Sequence, residues 1–230
     1  MSAPVELVVF DWDGTLMDST GAIASAIRAA AVDLGLREPS QAEASAVIGL
    51  GLSDALHQCV PDLRADQIAA FTDRYRLHYM AVDPELQAFE GVEAMLTGLT
   101  ASPVPAAVAT GKSRSGLNRV LDAMAWRRHF ISTRCADEGT PKPHPWMLND
   151  LIEEIGVSPE KTLMIGDTTH DLGMARAAGV RAIGVTYGAH PHELLKTEPS
   201  ICLVDSVAEL TEVVGRETGI DFSGVYGDAR

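Results

Sequence analysis

Residues 5–18 read Val-Glu-Leu-Val-Val-Phe-Asp-Trp-Asp-Gly-Thr-Leu-Met-Asp, and this stretch decides the fold. Its apolar run, Val8-Val9-Phe10, stops on two carboxylates, Asp11 and Asp13, with Gly14 and Thr15 directly after. An unbroken apolar run suits a strand covered on both faces, as strands of parallel sheets are. Acids at the end of such a strand lie on the carboxyl edge, where open α/β sheets bind ligands. Two carboxylates one residue apart repel each other unless a cation or a proton offsets the charge. The pair suits Mg²⁺, a hard cation that takes oxygen ligands.

The same signal recurs along the chain. Residues 104–109, 162–166 and 181–186 are further apolar runs bounded by polar, Gly or Pro positions, with a weaker one at 201–204. Between them the periodicity predicts helices over 91–100, 114–124, 145–156, 169–178 and 206–214, with Gly156 and Gly179 placed as left-handed helix caps. Strand–helix alternation predicts an α/β fold with a doubly wound parallel sheet. Residues 19–82 break the alternation and carry only helical signals. Ile23, Ile27, Ala30 and Leu34 repeat at helical spacing; Ser40 with Glu43 forms a capping box; Ser53 is a candidate cap; Ile68, Phe71, Tyr75 and Tyr79 stripe a fourth helix. We expect a helical insertion over 19–82, a returning linker over 83–90, and a catalytic core made of 1–18 and 83–230. The tail beyond Glu217 is weakly patterned.

The 230 residues carry a net charge of −14, and only four are lysines. That balance disfavours nucleic acid and anionic membrane as partners but leaves open a small anionic substrate held by local charge. Cys59, Cys135 and Cys202 are far apart and form no CxxC pair, so neither a disulfide framework nor a zinc site is expected. The N-terminus reaches its first strand without a basic stretch, and no apolar run approaches the ~18 residues of a membrane span. The expectation is a cytoplasmic protein, monomer or homodimer.

Four segments are placed just after predicted strands: Asp11 with Asp13; Thr110-Gly111-Lys112-Ser113; Lys142 in Thr-Pro-Lys-Pro-His-Pro; and Gly166-Asp167-Thr168-Thr169-His170-Asp171. In a doubly wound sheet they converge on one edge. Asp11 could then act as a carboxylate nucleophile, and Asp11 with Asp167 could hold Mg²⁺, with Asp171 behind. Lys142 could neutralise the nucleophile and a phosphoryl group, Thr110 and Gly111 could bind phosphoryl oxygens, and Asp13 could serve as acid and base.

Asp11-Trp12-Asp13-Gly14-Thr15-Leu16, with Asp18-Ser19 behind, resembles the first motif of the haloacid dehalogenase-like superfamily. Thr110, Lys142 and Gly166-Asp167 through Asp171 are similar to its second, third and fourth motifs, in order. The resemblance runs from residue 5 to about 190. It implies a Rossmann-like core, a helical cap inserted after the first strand, and Mg²⁺ held by Asp11, the backbone carbonyl of Asp13 and Asp167. Within the family, Asp13 is present where dehalogenases lack it. The segment 19–82 has no lysine for a phosphonatase Schiff base, and Ile23 stands where sugar-phosphate mutases carry histidine. These features imply a phosphatase acting on a small phosphorylated metabolite. Asp18-Ser19, Ala109 to Ser113 and Lys142-Pro143-His144-Pro145 are most similar to phosphoglycolate phosphatase-like members, with a pyrophosphatase, another small-phosphate phosphatase or phosphomutase of the same superfamily, and a non-catalytic binding module as alternatives.

Other residues have plainer readings. The Gly49-Leu50-Gly51-Leu52-Ser53 loop is either a subsite of backbone amides or an interhelical turn. Arg74 and Arg76 either supply a partner for a substrate carboxylate or are solvated helix arginines, His170 reads as a neighbour of the site or exposed, and His144 as capping or packing at the start of the next helix. His190 and His192 lack an evident third metal ligand. Gly111-Lys112-Ser113 lacks the upstream glycine of a phosphate-binding P-loop.

Overall fold

The structure, a computed structural model, describes residues 4–223. Six parallel strands form one sheet: β1 (Leu7–Phe10), β2 (Ala106–Thr110), β3 (Phe130–Cys135), β4 (Thr162–Gly166), β5 (Arg181–Val185) and β6 (Cys202–Val204), in the order β3-β2-β1-β4-β5-β6. β1 is wholly buried because its two faces serve two layers. Val8 and Phe10 pack with α5 (Val92–Thr100), α6 (Arg114–Ala123) and α10 (Val207–Thr218). Leu7 and Val9 pack with α7 (Trp146–Ile155) and α8 (Thr169–Ala178). The strand order reverses direction between β1 and β4, which leaves a crevice at their carboxyl ends.

The strand over 130–135 carries no apolar run and is absent from the sequence expectation. The reason is its place at the sheet edge. β3 pairs only with β2, Ile131 is exposed, and Arg134 reaches Asp150 and Glu154 of α7. A strand covered on one side has no need of a continuous apolar sequence. Gly156 and Gly179 cap α7 and α8 in the left-handed conformation, as the sequence predicts. α10 runs on to Thr218 with Gly219 as its cap; the end of the tail lies outside the described residues.

The segment after β1 is helical throughout, with α1 (Thr20–Asp33), α2 (Gln41–Ser45), α3 (Leu52–Cys59) and α4 (Ile68–Val82). It buries its own apolar cluster, including Ile23, Ile27, Leu56 and Phe71, separate from the sheet layers. The capping box forms: the Glu43 N–H donates to Ser40 Oγ at 3.2 Å and the Ser40 N–H to Glu43 Oε2 at 2.7 Å. Ser53 is not a cap, because α3 begins at Leu52 with Gly51 in the cap position. The chain leaves and returns side by side: the Asp18 N–H donates to Gln87 O at 3.0 Å, and the Phe89 N–H to Leu16 O at 3.1 Å. α9 (His192–Leu195) completes the described elements.

Candidate active site

β1 and β4 deliver the two acids that the sequence places together. Asp11 follows Phe10 directly and is fixed by its N–H, which donates to Ile165 O at 2.9 Å. Asp167 follows Gly166, accepts from Thr15 Oγ1 at 3.0 Å and from the Ala189 N–H at 2.7 Å, and is fully buried. Asp171 opens α8, where its Oδ2 accepts from the N–H and hydroxyl of Thr168, the cap residue, at 3.1 and 2.6 Å. Gly14 has φ +83, and a Cβ there would run into the Asp167 carboxylate. Glycine is therefore required for the turn that lets β1 approach β4.

Lys142 is 1% exposed and reaches two acids at once, with Nζ 2.6 Å from Asp11 Oδ1 and 2.6 Å from Asp171 Oδ1. Burial opposes its charge, but the two carboxylates outweigh burial and hold it protonated above the ordinary lysine range. Burial, together with the neighbouring Asp171 and Asp13, pushes the Asp11 carboxyl up to about 7 against the pull of Lys142. Burial, then Asp11 and Asp171, drives Asp167 well above the usual carboxylate range.

These shifts express a charge deficit. Three buried carboxylates, with candidate ligand atoms within 4.8 Å of one another, face a single buried ammonium. Asp11 Oδ2 is buried with no hydrogen-bond partner. Hard oxygen donors and uncompensated negative charge fit a divalent cation such as Mg²⁺. Both Asp171 oxygens are already engaged, which suits an anchor for Lys142 and Thr168.

Asp13 sits to one side of this group. Its Oδ1 accepts from Ser19 Oγ at 2.6 Å, and Lys112 Nζ lies 2.8 and 3.0 Å from its two oxygens. Ser19 stands at the start of α1 yet makes no cap bond there, because its hydroxyl serves Asp13. Asp18 is exposed. Thr110 ends β2 fully buried, and its Oγ1 accepts from the Lys112 N–H at 3.1 Å. The hydroxyl proton of Thr110 thus remains available to an anion. Gly111 faces the helical segment so closely that a Cβ would lie 2.6 Å from Gly49 O.

The helical segment also meets the β4 end. Ala46 O accepts from Nε2 of His170 at 3.2 Å and of His190 at 3.1 Å. His190 Nδ1 accepts from the Thr169 N–H at 3.1 Å, which fixes the proton on Nε2. Burial lowers the pKa of both rings. His192 is exposed. His144 Nδ1 accepts from the Trp146 N–H at 3.2 Å at the start of α7, where Pro145 holds the cap position. Ser113 caps α6 and takes no part in a P-loop.

Sequence reasoning missed Lys112 and Tyr79 as site residues. Lys112 Nζ donates to Tyr79 OH at 3.1 Å and lies 5.0 Å from the ring centroid, linking Asp13 to α4. The available signal was position: Lys112 follows Thr110-Gly111 at a strand end.

A cavity of about 450 Å³ opens beside Asp13, between the helical segment and the Gly111–Gly116 turn. Arg76 lines it and Arg74 does not.

Known proteins are similar to this chain. The pattern of the family described as haloacid dehalogenase-like hydrolase matches residues 8–185. "Probable phosphatase IndB" of Dickeya dadantii is 35% identical, covering 89% of this chain and 91% of its own. Phosphoglycolate phosphatase of Yersinia pseudotuberculosis is 33% identical, covering 90% and 92%. The crystal structure of a hydrolase from Pseudomonas syringae superposes with a TM-score of 0.83 at 19% identity, covering 91% and 97%. With four strand-end segments gathered on one sheet edge and the family pattern spanning them, the chain belongs to the haloacid dehalogenase-like hydrolases.

Proposed function

We propose that this hydrolase is a Mg²⁺-dependent phosphatase that releases phosphate from a small phosphate monoester through an aspartyl-phosphate on Asp11. The observation that carries the reading is Asp11 Oδ2, buried and unpartnered, while Lys142 engages Oδ1 and Asp167 stands alongside. That oxygen attacks phosphorus, and the ester oxygen leaves with a proton from Asp13. Asp13 then takes a proton from the water that attacks the aspartyl-phosphate, which restores Asp11 and frees phosphate. Thr110, the Gly111 backbone and Lys142 bind the phosphoryl oxygens. Asp11, the Asp13 carbonyl and Asp167 would hold Mg²⁺, with Asp171 in support. Bound there, the ion offsets the charge of the carboxylates and the phosphoryl group.

Residues 19–82 act as a cap over this edge. Their separate apolar cluster and the single antiparallel bridge between Met17 and Ala88 support the division. The protein works in the cytoplasm, a reading supported by its free cysteines and by bacterial phosphatase relatives. No helix of the described residues is long and apolar enough to cross a membrane.

A second reading takes glycolate phosphate as the substrate, favoured by relatives that are phosphoglycolate phosphatases. The test is phosphate release from p-nitrophenyl phosphate with and without Mg²⁺, in the native chain and in Asp11→Asn. The proposal expects release only with Mg²⁺ and none from the variant. A folded protein inactive on every phosphate ester, or an active variant, would leave a binding module or a different chemistry.

A further inference from the structure

The 450 Å³ cavity beside Asp13 has a chemistry of its own. Its far wall is apolar and comes from the helical segment: Ile23, Ile27, Val47, Ile48, Tyr75 and Tyr79. Tyr75 and Tyr79 stack one helical turn apart, with centroids 5.9 Å apart and planes 18° apart. The Tyr75 hydroxyl has no hydrogen-bond partner among the described residues. Asp11 does not line the cavity but Asp13 does, so the space adjoins the proton donor rather than the nucleophile. In an in-line displacement that is where the departing alcohol sits.

We propose that this cavity selects a phosphate ester whose leaving alcohol carries a neutral apolar body, of branched-chain or single-ring size. The inference rests on the phosphatase reading of Asp11 and names its substrate class.

Charge and size support it. Of the lining cations, Lys112 is held by Asp13, and Arg119 by Asp83 at 3.0 Å. Arg76 also lines the cavity, is exposed and has no acidic partner among the described residues, so it is the lining cation open to an anion. Among the lining cations a carboxylate tail such as that of glycolate would have Arg76 alone to pair with, since Lys112 and Arg119 are committed, and placed against isoleucine and valine it would give up water unpaired. An unpaired carboxylate in such surroundings is strongly disfavoured, whereas an apolar group is favoured in proportion to the area it buries. The volume equals roughly fifteen waters at ~30 Å³ each, and a two-carbon acid would leave most of it wet. One hydroxyl of the ligand could meet Tyr75.

Ethyl, n-hexyl and 2-phenylethyl phosphate release primary alcohols of similar basicity, so a difference among them reports binding of the body. Initial rates with Mg²⁺ on these three and on glycolate phosphate form the test. KM is expected to fall ~10–100-fold from the ethyl to the 2-phenylethyl ester at similar kcat, with glycolate phosphate behind in kcat/KM. Ile27→Asn should erase most of the 2-phenylethyl advantage; if that variant fails to fold, the native series decides alone. Turnover that is flat along the series, or led by glycolate phosphate, overturns the inference and leaves the phosphatase reading standing. No release from any of the four by folded, Mg²⁺-supplied protein overturns both.

Discussion

The ammonium of Lys112 lies 2.8 and 3.0 Å from the two carboxylate oxygens of Asp13, across 99 residues of chain. Both side chains are about nine-tenths buried, and Tyr79 of the helical segment accepts a third hydrogen bond from the same ammonium. One lysine therefore ties the proposed proton donor to the proposed cap.

Removing that lysine should leave Asp13 buried with only Ser19 as partner. Lys112→Met is expected to cost about 3 kcal/mol of stability, the range for breaking a buried ion pair. Tyr79→Phe removes one neutral acceptor and should cost about 1 kcal/mol. Urea denaturation of both variants checks this; equal losses would mean that the Asp13 pairing contributes little.

Asp13→Asn keeps the size of the side chain but removes acid–base function. Turnover should slow by ~10²–10⁴-fold. Mg²⁺ affinity, read by calorimetry, should stay close to native, because the Asp13 side chain bonds to Ser19 and Lys112 and lies outside the Asp11–Asp167–Asp171 group. Unchanged turnover would remove Asp13 from the mechanism.

The raised carboxyl of Asp11 sets a pH dependence. Its folded pKa of about 7 lies above the ordinary 3.8, so the folded state holds its proton more tightly than the unfolded chain. The stability this gives is complete below about pH 3.8 and is lost as pH rises through about 7. Burial drives Asp167 in the same direction. A bound cation favours the ionised carboxylates and competes with those protons. The rise in Tm on adding Mg²⁺ should thus be about twofold or more larger at pH 8 than at pH 5. Equal rises would show that these acids do not bind the ion.

The proposed lid meets the core at the antiparallel bridge between Met17 and Ala88. Beryllofluoride, which mimics a phosphoryl group on a carboxylate, should favour the closed form and slow proteolysis between residues 80 and 92 several-fold. Cleavage at the same rate with and without it would mean that 19–82 is not a moving lid.

Much of this was legible in the chain. The strands that carry Asp11, Thr110 and Asp167 are covered on both faces, so each appears as an apolar run ending abruptly on polar residues. β3 escaped notice because an edge strand keeps Ser132, Thr133 and Arg134, whose side chains bond outward to neighbours such as Glu154. The Lys112–Asp13–Tyr79 link could not be read, since it joins three segments that only the fold brings together. The cavity was hidden for a different reason. Ile23 and Ile27, or Tyr75 and Tyr79, have the same helical spacing whether they fill a core or line a pocket.

The central claim is a covalent phosphoryl group on one carboxylate, and trapping it is the most direct test. Borohydride added during turnover reduces an acyl phosphate to the alcohol, and peptide mass spectrometry then reports which residue carried it. The account predicts conversion of Asp11 to homoserine, dependent on substrate and on Mg²⁺. Reduction at another carboxylate, or none while phosphate is being released, would contradict it.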